Sequence, residues 1–120
     1  MLVEDIAAIR NMLKRQLIVL GADGQIDEAT DGLQAWNLLQ ERSYGLIIAD
    51  IAMPHMDGLE LQRRVRHSSQ HRDIPILLIS GEVSEQTVAS VPQSKLDDYL
   101  IKPFSTEAFE KSLWKMLKQK

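Results

Sequence analysis

The chain has 120 residues, 44% of them hydrophobic, which suits a single domain with one core. Its formal net charge is −3 and its arginines are mostly scattered, so the sequence lacks the clustered basic residues typical of nucleic-acid-binding proteins. The absence of cysteine excludes disulfides and thiolate metal sites and fits a reducing, cytoplasmic setting. No apolar run is long enough to span a membrane.

Hydrophobic spacing predicts short strands alternating with helices along the whole chain. The first half reads as strand Met1–Val3, helix Ile6–Leu20, strand Gln25–Ala29, helix Leu33–Arg42 and strand Tyr44–Ala49. The second half reads as helix Leu59–Arg66, strand Ile74–Ile79, a weaker helix from Ser84 to Pro92, strand Asp98–Ile101 and a helix from Ser105 to Leu117. The first strand is short, which predicts either a chain that begins further upstream or a sheet weakened at its amino end.

Capping residues define several of the predicted helix ends. Asp5, Asp31 and Ser105 are predicted N-caps of the first, second and last helices, because their side-chain oxygens can accept hydrogen bonds from free main-chain N–H groups. Gly21 is predicted to end the first helix.

Other residues are assigned to surface or core by their position in these elements. Ile18 and Val19 fall outside the apolar stripe of the first helix and predict exposed apolar surface. The three arginines of the third helix are predicted to face solvent, and Asp97-Asp98 to lie in a solvated loop. Trp36 and Trp114 are predicted to pack against neighbouring elements.

Alternating strands and helices imply βαβ units, right-handed crossovers and a parallel sheet covered by helices on both faces. Polar residues follow four of the apolar strands: the pair Glu4-Asp5, then Asp50, Ser80 and Lys102. The carboxyl ends of parallel strands share one edge of the sheet, where such folds bind ligands. We therefore expect these side chains to converge.

Three acids and one lysine in one crevice indicate a divalent cation together with a phosphoryl group. Asp5 and Asp50 are predicted direct Mg²⁺ ligands, with Glu4 acting through water and the main-chain carbonyl of Ala52 adding an oxygen. The central position of Asp50 makes it the predicted nucleophile, which would form an aspartyl-phosphate.

The other two polar residues complete this predicted site. Lys102 is predicted to neutralise the side of the phosphoryl group opposite the metal, and Ser80 to donate a hydrogen bond to one of its oxygens.

Several segments together resemble the receiver domains of two-component response regulators, which have the CheY-like fold. The matching segments are Val3-Glu4-Asp5, Asp31-Gly32, Asp50, Met53-Pro54, Met56-Asp57-Gly58, Leu59-Glu60-Leu61, Ser80, Tyr99 and Lys102-Pro103-Phe104. The resemblance implies one receiver domain over residues 1–120 without an effector domain. It also implies a flavodoxin-like three-layer α/β/α sandwich with a five-stranded parallel sheet in the order 2-1-3-4-5.

The resemblance further implies a signalling phosphoacceptor rather than an enzyme. Asp50 would be phosphorylated, with Mg²⁺, by a phosphohistidine on a sensor histidine kinase or a histidine phosphotransfer protein, and would lose the group slowly. Ser80 would then move toward the phosphoryl group and Tyr99 inward. The face built from the predicted fourth helix, fifth strand and fifth helix would change its shape for an unidentified downstream effector.

Some residues depart from the family pattern. Ala52 has no side chain that can position an attacking water, whereas Glu82 has one, so both are predicted to tune dephosphorylation. Ser94-Lys95-Leu96 replaces the small residues usual before the fifth strand, which predicts an unusual output face. The exposed Ile18 and Val19 predict a contact with a kinase or a homodimer contact.

Two alternatives use the same residues differently. A haloacid-dehalogenase-like hydrolase also has a strand-end Asp nucleophile, but it needs a second acid two residues later, where this chain has Ala52. A receiver-like interaction module that works without phosphorylation would be expected to lack one of the acids, the hydroxyl or the lysine, and here Asp50, Ser80 and Lys102 are all present.

Overall fold

The computed structural model describes residues 1–21, 24–81 and 96–118, with side chains through Met116. Its elements in chain order are β1 (Leu2–Val3), α1 (Ala7–Val19), β2 (Glu28–Ala29), α2 (Gly32–Leu39), β3 (Ile47–Asp50), α3 (Gly58–Arg66), β4 (Ile76–Ser80), β5 (Asp97–Ile101) and α4 (Thr106–Lys118). The helix predicted from Ser84 to Pro92, Glu82 and the Ser94-Lys95 pair lie outside the described residues.

The five strands form one parallel sheet in the order β2-β1-β3-β4-β5, which confirms the predicted topology. The shortness of the first strand is also confirmed, since β1 has two residues yet lies between β2 and β3. Its pairing continues beyond these two residues, because Ile48 N–H donates to Met1 O and Glu4 N–H donates to Ala29 O.

Helices cover both faces of the sheet, and two apolar clusters fill the space beneath them. One contains Ile47, Ala49 and Leu78 with residues of α2 and α3, such as Leu39 and Leu61. The other is built from alternate strand residues packed against α1 and α4; its buried members are Leu2, Leu13, Ile48, Leu77, Ile79, Phe109, Leu113 and Met116. Strand residues alternate between the two faces, so β1, β3 and β4 each contribute buried residues to both clusters.

Two of the three predicted N-caps are present. Asp31 accepts a hydrogen bond from Gln34 N–H at 2.8 Å, and Ser105 Oγ accepts one from Ala108 N–H at 3.0 Å. The prediction for Asp5 was wrong: α1 begins after Ile6, which makes no side-chain cap. Instead, the free Ile6 N–H donates to the Glu4 carboxylate at 3.1 Å, which leaves Asp5 exposed at the edge of the sheet.

Predictions about surface and packing were correct for α1, for Trp36, which packs against the core, and for the exposed Arg63 and Arg64, but wrong for three other residues. Ile18 and Val19 are exposed, as their spacing indicated, whereas Trp114 is half exposed rather than packed. The predicted loop residue Asp97 belongs to β5 and has a fully buried side chain, and Arg66 is also buried. The guanidinium of Arg66 bonds both carboxylate oxygens of Asp97, at 3.1 and 3.3 Å from Nε.

Among the described residues, no helix is both long and apolar enough to cross a membrane.

Candidate functional site

The strand register brings polar side chains to one edge of the sheet. Val3 pairs with Ala49 across β1 and β3, so the next residues, Glu4 and Asp50, leave the sheet side by side. Ser80 pairs with Ile101 across β4 and β5, so Lys102 follows immediately beyond that edge. Parallel strands thus deliver residues that are far apart in sequence to one crevice.

Three carboxylates meet in this crevice. Each of Glu4, Asp5 and Asp50 offers an oxygen within 4.8 Å of the others. Glu4 is 1% exposed and Asp50 is 6% exposed, whereas Asp5 faces solvent. Like charges at such distances repel one another, and burial strengthens that repulsion, so the cluster needs positive charge nearby.

Lys102 supplies part of that charge. Its Nζ lies 2.8 Å from Asp50 Oδ2 and 3.7 Å from Glu4 Oε2. Partial burial alone would lower the pKa of Lys102, but its hydrogen bond with Asp50 and the charges of Asp50 and Glu4 outweigh that effect and raise the pKa. Lys102 is therefore held as a cation against the central carboxylate.

Asp50 receives a second hydrogen bond from its own loop. Ala52 N–H donates to Asp50 Oδ1 at 3.3 Å, while Oδ2 accepts from Lys102. The two oxygens therefore face different donors, and the carboxylate is fixed in orientation. Ala52 itself is exposed.

Ser80 and Tyr99 occupy different positions relative to this cluster. Ser80 is the last residue of β4 and is buried, and its main-chain carbonyl accepts from Lys102 N–H at 2.8 Å. Tyr99 pairs with Leu78 in the middle of β5 and packs against the core on the α2–α3 side. Ser80 thus lies at the edge with the acids, and Tyr99 lies within the sheet.

Two glycines bring the loop after β3 close to the strand, a role that the sequence analysis did not assign. A Cβ on Gly58 would lie 2.4 Å from Asp50 O, and one on Gly32 would lie 2.5 Å from Met56 O. Their N–H groups donate to Ile51 O and Met56 O, both at 2.9 Å. Each of these glycines follows an aspartate that caps a helix, so the two Asp-Gly pairs combine an N-cap with a close approach of the backbone.

Arg10 is a further residue that the sequence analysis missed. Its Nη1 donates to the main-chain oxygen of Glu4 at 2.7 Å, and its Nε donates to Glu28 on β2 at 3.1 Å. A basic residue among helical polar positions gives no signal of such a contact, because its partners depend on the tertiary fold.

The acids fit a hard divalent cation. Mg²⁺ binds oxygen ligands at about 2.0–2.1 Å, and one or two carboxylates are its usual protein ligands. Among the described residues, Glu4 Oε2 is buried without a hydrogen-bond partner. A cation, or a water bound to one, would satisfy that oxygen, which supports the match between this cluster and a metal.

Glu4 is the acid whose ionisation the fold changes most clearly. Its pKa is raised to about 7, mainly by burial and also by the neighbouring Asp50 carboxylate. The hydrogen bond from Ile6 N–H and the charge of Lys102 act in the opposite direction. Without a metal, Glu4 therefore takes up a proton near neutral pH.

We expect this shift to make stability fall as pH rises without Mg²⁺. The folded-state pKa of Glu4, about 7, exceeds the ordinary value of 4.5, so the folded chain holds a proton that the unfolded chain loses. The resulting stabilisation is complete below pH 4.5 and is lost as pH rises through 7. Burial lowers the pKa of the Met1 amine to about 6, which changes stability in the opposite direction over the same range, so the effect of Glu4 is measured as a difference between proteins. From pH 5 to pH 8, urea unfolding of wild type should lose about 2 kcal/mol relative to Glu4→Gln. An equal pH dependence in both proteins would contradict the prediction.

The fold and the acid–lysine cluster define a flavodoxin-like α/β domain with an acidic site at the carboxyl ends of its strands. The sequence pattern of the response regulator receiver domain family matches residues 1–113, and the chain belongs to this family. The resemblance seen in its motifs is thereby confirmed, and with it a place in two-component signalling.

Individual relatives support the assignment to this family. A chemotaxis protein CheY homolog of Campylobacter jejuni is 32% identical over 114 residues, which cover 94% of this chain and 87% of that protein. The chemotaxis response regulator CheY4 of Vibrio cholerae is 31% identical, with a TM-score of 0.82 over 96% of this chain and 94% of that one.

Receiver domains of histidine kinases are also similar. The receiver domain of a signal transduction histidine kinase from Syntrophus aciditrophicus has a TM-score of 0.87 and 27% identity, covering 98% of this chain and 88% of that one. The receiver domain of the sensor histidine kinase PA1611 from Pseudomonas aeruginosa has a TM-score of 0.83 and 26% identity, covering 98% and 94%. That structure has a magnesium ion coordinated in its active-site cleft.

Proposed function

We propose that the chain is a single receiver domain over residues 1–120 that accepts a phosphoryl group on Asp50 in a Mg²⁺-dependent reaction. The observation that carries this proposal is the position of Asp50. Its buried carboxylate ends the central strand β3, bonds to Lys102 at 2.8 Å and adjoins Glu4 and Asp5, which follow β1. We propose a phosphohistidine on a sensor histidine kinase or a histidine phosphotransfer protein as the donor.

In the proposed reaction an oxygen of Asp50 attacks phosphorus. A P–O bond forms as the P–N bond to the donor histidine breaks, and the imidazole leaves with the bonding electron pair and takes up a proton. Lys102, held as a cation, neutralises charge on the phosphoryl oxygens, and Ser80 donates a hydrogen bond to one of them.

The proposed metal ligands are Asp5 and Asp50 directly, the carbonyl of Ala52, and Glu4 through a water. Mg²⁺ bound there would neutralise charge on the transferred group.

The same proposal covers signalling after phosphorylation. Ser80 moves toward the phosphoryl group and Tyr99 turns inward, which changes the face formed by β5, α4 and the helix that the sequence predicts from Ser84 to Pro92. A downstream effector of unidentified nature binds one form of that face. Because the phosphoryl group biases two conformations rather than driving turnover, the chain acts as a signalling phosphoacceptor and not as an enzyme. The absence of cysteine supports a cytoplasmic setting.

Beryllofluoride, which mimics an acyl phosphate, provides the test. With Mg²⁺ present, we expect it to shift backbone resonances near Asp50, Ser80 and Tyr99, and to shift none of them without Mg²⁺. Asp50→Asn should abolish the response because the amide cannot bond to beryllium. The matched control is Asp73→Asn, the same change at an exposed loop acid, which should respond like the wild type. A response that persists in Asp50→Asn would refute Asp50 as the acceptor.

Ala52 leads us to expect slow to moderate dephosphorylation. An exposed methyl group beside the acceptor offers no hydrogen bond to orient an attacking water. Ala52→Asn adds an amide that can orient one, so we expect it to shorten the phosphorylated lifetime, measured by the decay of radiolabelled protein. An unchanged lifetime would contradict this role. The role predicted for Glu82 concerns a residue outside the described part of the chain.

A further inference from the structure

Arg10 links the acid pair to the body of the fold. Its side chain runs from α1 to the turn between β1 and α1, where Nη1 donates to Glu4 O at 2.7 Å. The same guanidinium donates from Nε to Glu28 on β2 at 3.1 Å. We propose that Arg10 is a positioning residue that holds the acid pair in place for the cation, an inference that rests on the proposed function.

The turn that carries the acids has few other supports. β1 contributes two residues to the sheet, and α1 begins at Ala7, after Ile6, which makes no side-chain cap. Glu4 N–H bonds to Ala29 O at 3.0 Å, which fixes the turn on one side only. Arg10 bonds the carbonyl of the same residue, so Glu4 is held through both of its main-chain groups. Its carboxylate is directed further by the bond from Ile6 N–H.

Glu28 in turn holds the guanidinium. The Arg10 side chain is 17% exposed and that of Glu28 is 31% exposed, so this pair is shielded more than an ordinary surface pair. Lys14 also contacts Glu28, at 3.3 Å. A planar guanidinium can serve a carboxylate and a carbonyl at once in fixed directions, which an ammonium does less well. Glu28, on the edge strand β2, thus orients Arg10, and Arg10 in turn positions the acid pair.

Positioning and simple electrostatics predict opposite results when Arg10 is removed. Arg10 is a cation bonded to the turn that carries the acids, so by charge alone its loss should favour the binding of a divalent cation. If Arg10 positions the acid turn, its loss should weaken binding, because the oxygens no longer hold their arrangement. The sign of the change in Mg²⁺ affinity therefore separates the two roles.

The test is a Mg²⁺ titration, monitored by calorimetry or NMR, of four proteins: wild type, Arg10→Met, Arg10→Lys and Arg15→Met. Arg15 is exposed on the same helix, so Arg15→Met removes the same side chain and charge without touching the turn. We expect Arg10→Met to raise the Kd for Mg²⁺ about tenfold, as losses of residues that orient metal ligands do. Arg15→Met should stay within about twofold of wild type, since an exposed charge is screened by solvent.

A second measurement is made without metal. Hydrogen exchange of the Ile6 amide, which bonds to the Glu4 carboxylate, should accelerate in Arg10→Met and not in Arg15→Met, while amides of β4 keep their protection in both. Arg10→Lys keeps the charge but loses the planar guanidinium. Its Kd for Mg²⁺ and its Ile6 exchange rate should therefore lie between those of wild type and Arg10→Met.

The outcomes separate this inference from the proposed function. If wild type binds Mg²⁺ and Arg10→Met binds it equally well or more tightly, the positioning role is overturned and the proposed function stands. If wild type binds no Mg²⁺, both are overturned. If Arg10→Met lost hydrogen-exchange protection throughout the fold while Arg10→Lys bound Mg²⁺ like wild type, Arg10 would only stabilise the fold. That result would also overturn the positioning role.

Discussion

Arg66→Met should remove about 3–5 kcal/mol from the free energy of unfolding, because it leaves the buried Asp97 carboxylate without its guanidinium. The Arg66 side chain is 6% exposed and that of Asp97 is 0% exposed. Arg66 Nη1 also donates to the carbonyls of Arg72 and Ile74, at 2.9 and 2.7 Å. One side chain thus ties the end of α3, the loop before β4 and the start of β5 together.

Urea unfolding of three variants would measure this effect. Arg63→Met, on the same helix, removes an exposed partner of Glu60 and should cost far less. Arg66→Met/Asp97→Leu should recover much of the loss of the single variant, since it removes both charges and replaces them with apolar groups. Equal losses in the free energy of unfolding for Arg63→Met and Arg66→Met would show that the buried pair stabilises the fold no more than the exposed pair does.

The sequence predicted the site because its residues follow a local rule. Each acid and the lysine comes directly after an apolar strand, and a parallel sheet aligns the ends of its strands. The position of Asp50 beside Glu4 and Lys102 needs no knowledge of side-chain packing, only of strand order. The order itself follows from alternating strands and helices together with the family resemblance.

Contacts between distant segments were not predictable in this way. Arg66 and Asp97 are separated by 31 positions, and each reads locally as a solvated charge. Arg10 and Glu28 are likewise joined only once β2 has paired with β1. The Asp5 cap failed because α1 begins later than the spacing predicted, after Ile6, which has no side chain that can cap it.

Lys102→Met should slow the proposed phosphorylation of Asp50 by about 10²–10³-fold, the usual cost of removing one preorganised donor from a reaction centre. Lys102 Nζ contacts Asp50 Oδ2 at 2.8 Å and lies 3.7 Å from Glu4 Oε2. It is thus placed to neutralise charge that develops on the transferred group. Single-turnover labelling by a small phosphoramidate donor, with Mg²⁺ saturating, measures the rate without a protein partner.

The affinity for Mg²⁺ should change in the opposite direction. Lys102 is a cation among the acids, so removing it lowers the repulsion felt by a divalent ion, and Lys102→Met should bind Mg²⁺ as tightly as wild type or more tightly. A slow rate together with undiminished Mg²⁺ binding would place the role of Lys102 in the transfer itself rather than in building the metal site.

Lys111→Met is the matched control, since Lys111 is exposed on α4. We expect it to leave both the rate and Mg²⁺ binding unchanged. Lys102→Arg keeps the charge but places a wider, planar group against Asp50, so it should restore part of the rate. If Lys102→Met were phosphorylated within about twofold of the wild-type rate, the positive charge of Lys102 would not be needed for the reaction. The prediction that Lys102 stabilises it electrostatically would then be wrong.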